Sequence, residues 1–289
     1  MASFAFSGLA VCALAGPTFI FLVQSLPIWR HAGLGYLTGE KWFYRAHLFG
    51  ALPMIYGTLI VALIALILAA PISFGAAIFT AEFLPRRLRL AVKITIELLA
   101  GVPSVVYGLI GILLLRNWIY HLFARFEPLS GDTLLTAGVL LGVMILPTVM
   151  TLADDALRGV PAEQRRAARG LGLTASETVL SVSLPQASRG LVAALLLGLG
   201  RALGETIAVF LVVGRQDNNL PESLFSLRAW LEAGQTLSSK LGGSETNIAY
   251  GDPLHWGAMV GLALILMGMV VIVTIVGAWQ RKMKYAPSI

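Results

Sequence analysis

Six apolar runs constrain this chain more than any other feature. Residues 6–26, 54–80, 96–115, 134–152, 190–213 and 256–279 each approach the ~20 residues that carry a helix across a bilayer. In hydrocarbon every backbone N–H and C=O must be satisfied internally, so such runs fold as helices. Composition agrees: 57% of the 289 residues are hydrophobic and 12% charged, against about 25% charged in ordinary soluble domains. Mean hydropathy is +0.81. The expectation is an all-α membrane protein with six transmembrane helices. The first run has a signal-peptide look, with Ala13-Leu14-Ala15 as the cleavage site. It is long and no basic residue precedes it, so it is expected to stay as a span. The single cysteine, Cys12, has no internal disulfide partner and reads as a small packing residue.

Pro71, Pro103 and Pro147 lie inside the second, third and fourth runs. Each removes a backbone hydrogen bond and can kink its helix. Trp256 and Trp279 bracket the last run, and Trp118 and Tyr120 follow the third, as interfacial aromatics do. The net charge of +6 does not point to nucleic acid, because the basic residues concentrate in short connections. Arg86, Arg87, Arg89, Lys93, Arg158, Arg165, Arg166, Arg169, Arg189, Arg281, Lys282 and Lys284 fall on one side; Arg30, Lys41, Arg45, Arg116, Arg125, Arg215, Arg228 and Lys240 fall on the other, over longer loops. The positive-inside rule places both termini in the cytoplasm. The longest outward segment, 215–253, is rich in turn formers and is either a flexible connector or part of an external docking surface.

Several chemistries find no support. A phosphate-cradling P-loop needs Gly-Lys before Ser or Thr, and the lysines follow Glu40, Val92, Ser239, Arg281 and Met283. His31, His47, His121 and His255 are scattered, so no metal site is expected. No serine of the runs, Ser104 included, has a nearby histidine base, so no catalytic residue is assigned.

The segment 154–189, between the fourth and fifth runs, reads as two short helices. The first starts from Pro161, suited to a first turn, and carries AEQRRAARGLG to a stop at Gly170 or Gly172. The second, TASETVLSVSLP, opens on Thr174 with Glu177 three residues later, a capping box, and is closed by Pro185. This is either a protein-docking surface or an amphipathic loop on the membrane. The fifth run carries Arg201 and Glu205, four apart and so on one helix face. A charge at mid-bilayer costs about 2.5–3.5 kcal/mol on insertion scales. The two are either a buried pair that fixes packing or a charged gate and anion contact in a translocation path, with Thr206 beside it. Gly200, Gly204 and Ala208, spaced by four, are expected to let another helix approach closely.

The 154–189 segment resembles the coupling motif of bacterial ABC-importer permeases: Glu-Ala-Ala, three residues, Gly, nine residues, Ile-x-Leu-Pro. Ala167, Ala168, Gly172, Leu184 and Pro185 match, Val182 stands for the Ile, and Arg166 occupies the Glu position. GALPMIYGTLIVALIALILAAPISFGAAIFTAEF (50–83), ELLAGVPSVVYGLIG (97–111) and GLGRALGETIAVFLVVG (198–214) are similar to the PstC family of phosphate-importer permeases. The resemblance implies a type I ABC importer permease fold in a bacterial inner membrane, with residues 1–53 as an N-terminal span and loop and 54–289 as the permease domain. It implies a PstA-like permease partner, two copies of a PstB-like ATPase that bind ATP-Mg, and a PstS-like phosphate-binding protein. No cofactor is expected in this chain. Arg166, Ala167, Ala168, Gly170, Gly172, Leu184 and Pro185 would meet the ATPase, and Arg201, Glu205 and Thr206 would line the phosphate path of an alternating-access cycle. The competing readings are a permease of the same fold for sulfate or molybdate, an intramembrane enzyme, and a channel that works without partners.

Overall fold

The computed structural model describes residues 2–282, with side chains for 15–277 except Arg86. Cys12, Trp279, Arg281, Lys282 and Lys284 lie outside the described side chains, so expectations placed on them are not addressed. Among the described residues the regular elements are helices, apart from one two-stranded hairpin, Trp42–Phe43 against Leu48–Phe49, paired antiparallel with Trp42 opposite Phe49.

Ten helices frame the molecule: α1 (Ala2–Ala32), α2 (Leu52–Phe83), α3 (Arg86–Ala100), α4 (Ser104–Leu122), α5 (Leu134–Arg158), α6 (Ala162–Gly170), α7 (Ala175–Gly204), α8 (Ile207–Val212), α9 (Leu237–Leu241) and α10 (Pro253–Lys282). Five of them, α2, α4, α5, α7 and α10 (as Pro253–Gly277), are long and apolar enough to cross a membrane. The first expected run falls inside α1, whose first residues lie among the side chains not described. α2 and α5 pack along their lengths, α7 leans on α5 and α10, and α1 runs beside α10.

Three apolar clusters hold this arrangement. Ile60, Ile64, Leu141, Ile145 and Val212 fill the centre. Ile28, Tyr36, Met54, Leu237 and Met259 fill one end. Ala77, Met150, Leu157, Leu191 and Ala194 fill the other, beneath α6. Large apolar side chains such as Ile67, Ile72, Leu113 and Trp118 face outward, the inverse of a soluble surface and the norm for a lipid- or partner-facing one.

Two expected runs are re-cut. The third, 96–115, is not one helix. α3 ends at Ala100, capped by Gly101, and α4 begins at Ser104, because Pro103 lacks an N–H and forces Val102 away from helical backbone. α3 is a separate amphipathic helix. Its Arg89 Nη2 donates to the carbonyls of Ala81 (2.8 Å) and Leu84 (3.1 Å) at the end of α2, and its Lys93 reaches Asp155 at 3.0 Å. Pro71 and Pro147, by contrast, sit within continuous helices. The fifth run starts earlier and stops sooner than 190–213. Pro185 does not close a short helix: Val179–Ser183 widens into a π turn, the Leu184 N–H bonds to the Val179 carbonyl, and α7 continues through the proline to Gly204. The extra residue in the turn relieves the clash that a proline ring makes with an α-helical carbonyl.

The 215–253 segment is folded, which removes the flexible-connector reading. Short helices at Leu227–Trp230, α9 and Glu245–Ala249 cap one end of the bundle. The Leu237 N–H bonds to Thr58 Oγ1 on α2 at 2.9 Å, and the Tyr56 hydroxyl donates to the Leu224 carbonyl at 2.7 Å.

Candidate functional site

At the end opposite that cap, α6 forms from Ala162 to Gly170 as expected. Gly172 follows at φ +92°, a backbone that only glycine adopts without strain. That turn lets the Leu173 N–H close on the Ala168 carbonyl at 3.2 Å. The capping box at the start of α7 is present. Thr174 Oγ1 accepts from the Glu177 N–H at 3.3 Å, and Glu177 Oε2 accepts from the Thr174 N–H at 2.8 Å. Arg166, Ala167, Gly170, Gly172 and Pro185 are exposed, whereas Ala168 is buried and Leu184 packs into the apolar cluster beneath α6. Leu171 is 83% exposed at the tip of the loop.

One residue of this segment escaped the sequence reading. Arg165 points inward, next to the outward-facing Arg166. Its Nη2 donates to the Leu157 carbonyl at 2.5 Å and lies 3.3 Å from Oε1 of Glu82, whose side chain is 4% exposed. Glu82 Oε1 and Arg165 Nε lack hydrogen-bond partners, so this is an ion pair without a well-aligned hydrogen bond. It ties α6 to the end of α2. Close by, Asp154 holds Arg158 at 2.7 Å and accepts from Thr80 at 3.2 Å. In sequence, Arg165 is one arginine among several, and only the fold brings residue 82 beneath it.

The Arg201 region departs from the helical-face expectation. α7 ends at Gly204, and Glu205 has extended backbone (φ −73°, ψ 124°). Arg201 and Glu205 therefore share no helix face, and among the described residues they form no ion pair. Glu205 Oε1 instead accepts from the Ala208 N–H at 3.1 Å, capping α8, while the Glu205 carbonyl accepts from Ser238 Oγ on α9 at 2.8 Å. Both bonds answer the demand that a broken helix satisfy its freed backbone groups. Thr206 is half-buried in the same break and donates weakly to the Gly204 carbonyl, at 3.4 Å. Arg201 Nη1 donates to Thr148 Oγ1 on α5 at 2.8 Å. Arg201 also lines a cavity of about 410 Å³ between α7 and α10, otherwise apolar but for Thr274.

Of the small-residue stripe only Ala208 meets another helix closely: it is buried, and a Cβ on Gly108 of α4 would come within 3.1 Å of its Cα. A side chain added at Gly200 or Gly204 would meet nothing within 4 Å, so no described helix packs there. Close approach falls on Gly198, where a Cβ would come within 2.5 Å of Val149 Cγ2 on α5.

The opposite cap holds a second buried charged cluster. Lys240, its side chain 3% exposed, contacts Asp217 at 2.6 Å and Glu245. Glu245 also accepts from the Trp42 indole at 2.5 Å and meets His255 Nε2 at 2.9 Å. Burial alone would push the Glu245 carboxyl up. Hydrogen bonds from Lys240, Trp42 and His255, with the Lys240 charge, outweigh it and hold the carboxyl below its ordinary range.

Comparison with known proteins places this geometry. A model of the family described as "Binding-protein-dependent transport system inner membrane component" matches residues 73–284. The "Phosphate transport system permease protein PstC 1" of Mycobacterium tuberculosis is 39% identical over 249 residues, covering 81% of this chain and 73% of that protein. The PstC of Pasteurella multocida is 38% identical over 250 residues, covering 81% and 75%. Among solved structures, an inward-facing form of the MetNI methionine ABC transporter aligns with a TM-score of 0.54 at 18% identity, over 81% of this chain and 94% of that one. That likeness speaks to fold alone, and it is the fold of a type I ABC importer permease. On the family match and the shared sequence, this chain is a multi-pass inner membrane protein that belongs to the binding-protein-dependent transport permeases, in their PstC group.

Proposed function

We propose that this chain is the membrane permease subunit of an ATP-driven phosphate importer and supplies part of the translocation path by alternating access. It does no covalent chemistry itself. ATP-Mg is bound and hydrolysed by two copies of a PstB-like ATPase, which grip the exposed face of α6 around Arg166, Ala167 and Gly170. A PstA-like permease completes the path, and a PstS-like protein delivers phosphate to the capped end. Both termini and α6 lie in the cytoplasm. The names of the PstC relatives, the α6 geometry and the basic-residue asymmetry support this assembly.

The observation that carries the substrate assignment is Arg201. Its guanidinium belongs to a residue three before the end of a spanning helix, with no carboxylate partner among the described residues and one hydrogen bond, to a single hydroxyl. A cation at membrane depth without a counter-charge is costly, and a passing oxyanion supplies that charge. Guanidinium matches phosphate oxygens in a planar fork. Glu205 Oε1 caps α8, and among the described residues Oε2 has no hydrogen-bond partner, so it offers an acceptor to the proton that monohydrogen phosphate carries and sulfate lacks.

The test is uptake of labelled phosphate by the assembled complex in vesicles. Arg201→Ala is expected to lose at least about tenfold in rate, the order of one hydrogen bond to a charged group. Arg201→Lys keeps the charge, loses the fork and is expected to fall between. Normal uptake by Arg201→Ala defeats the anion role. Sulfate or molybdate carried in preference to phosphate by the wild-type complex defeats the substrate assignment.

A further inference from the structure

We infer that Thr148 is a second hydrogen-bond donor to the anion in the path and the positioning residue of Arg201. The inference rests on the reading of Arg201 as a phosphate contact and adds a residue that no sequence motif marks. Thr148 lies on α5, directly after Pro147, and is half-buried. Its Oγ1 accepts from Arg201 Nη1 at 2.8 Å.

A guanidinium only donates, so the Thr148 hydroxyl hydrogen cannot point back at Arg201. A threonine within a helix ordinarily spends that hydrogen on the carbonyl four residues earlier. Others here do so, among them Thr58 to Met54 at 2.7 Å, Thr95 to Ala91 at 3.0 Å, Thr151 to Pro147 at 2.9 Å, and Thr274 to Val270 at 2.8 Å. Thr148 has no such bond, and among the described residues its hydrogen meets no acceptor. Its hydroxyl is turned to the neighbouring helix instead of its own backbone. The result is a donor pair from two helices, guanidinium N–H and threonine O–H, with the arginine restrained by the threonine and the threonine's hydrogen left to a ligand. Both groups donate, so the ligand they fit is an oxyanion with more than one acceptor oxygen. One member stands on α5 and the other on α7, so the pair exists only while those helices keep this spacing. A shift of α7 against α5 separates the donors and weakens their joint hold on the anion.

The experiment uses the full complex with its ATPase, partner permease and binding protein in vesicles, with inorganic phosphate as the probe. Thr148→Val keeps shape and removes the hydroxyl; Thr148→Ser keeps the hydroxyl. Maximal uptake is expected to fall about tenfold in Thr148→Val, the order of one hydrogen bond to a charged group. Thr148→Ser is expected to stay within about twofold of wild type, well inside that loss. Half-saturation is expected to stay where the binding protein sets it. Undiminished uptake in Thr148→Val overturns the inference, as does equal damage in both variants, which marks a packing role. Thr148→Cys replaces the valine variant if valine blocks assembly, with the same two outcomes. Arg201→Ala is run alongside. If it loses uptake while Thr148→Val does not, only Thr148 is misassigned; if it transports normally, the underlying reading of Arg201 fails.

Discussion

Lys240 shows how far the decisive contacts lie from anything local. Its ammonium sits between Asp217 and Glu245, under the ring of Trp42 at 5.0 Å, and His255 closes the far side of Glu245. Four separated stretches of chain meet there. The sequence offers one lysine in a polar loop, and neither period nor motif connects residue 42 to residue 245. Removing one partner from a buried ion network leaves the others uncompensated. Lys240→Met is therefore expected to destabilise the cap by about 3–5 kcal/mol, read as a drop in unfolding temperature in detergent. The pH dependence follows from Glu245. Its carboxyl is held below the ordinary range when folded. Its stabilisation is thus complete above the unfolded value of about 4.3 and is lost as pH falls through the lower, folded one. A detergent unfolding series on the acid side is expected to show this loss in wild type and a shallower slope in Glu245→Gln. Equal slopes contradict the assignment. At Arg201, by contrast, the residue type alone announced importance, since a charge inside an apolar run needs a reason. Its partner did not: Thr148 looks like any helical threonine until α5 and α7 are packed.

At the scale of elements, composition located the helices, and proline chemistry misplaced their ends. Pro103, Pro147 and Pro185 are alike in sequence and differ in outcome. Pro103 separates two helices beside a glycine, Pro147 stays within α5, and Pro185 is absorbed by a π turn. Tertiary packing decides which carbonyls are re-satisfied, and that information is not local. The break at Gly204 hides for the same reason: it is held by Glu205 and Ser238, from opposite sides of a 33-residue separation. α6 with its glycine stop, and the capping box that opens α7, were readable because capping chemistry is local. Its anchor was not. The Arg165–Glu82 pair joins α6 to α2, the element that would transmit force if α6 is pulled. Arg165→Ala is expected to leave ATP hydrolysis by the assembled complex largely intact while phosphate moved per ATP falls several-fold. The loss follows from an unpaired buried carboxylate that no longer holds α6 to the bundle. The reversed pair, Arg165→Glu with Glu82→Arg, is expected to restore part of the ratio. If hydrolysis and transport fall in strict proportion in Arg165→Ala, the pair supports assembly and not transmission.

For the whole molecule, the two ends are built differently, and that difference bears on orientation. One end carries α6, the Arg165–Glu82 anchor and the exposed Arg166 and Ala167. The other is closed by a folded cap that buries one charged cluster, around Lys240 and Glu245, and leaves Arg215, Glu222 and Arg228 exposed. A membrane subunit driven from the cytoplasm needs its grip on that side, and the concentration of arginines near α6 gives the same orientation by the positive-inside rule. With Cys12 replaced by Ser, a cysteine placed at Ala167 is expected to react with a membrane-impermeant maleimide only in inverted vesicles. That reaction is expected to be blocked when the ATPase is bound. A cysteine placed at the exposed Glu222 of the cap is expected to react in intact cells. The two positions test separate halves of the proposal. If Ala167→Cys reacts from outside, α6 cannot be the handle for a cytoplasmic motor, and the assembly fails whatever Arg201 binds. If Ala167→Cys reacts from inside but ATPase never protects it, the orientation stands and the docking face must be sought elsewhere around α6, beginning with the exposed Leu171 just past its end.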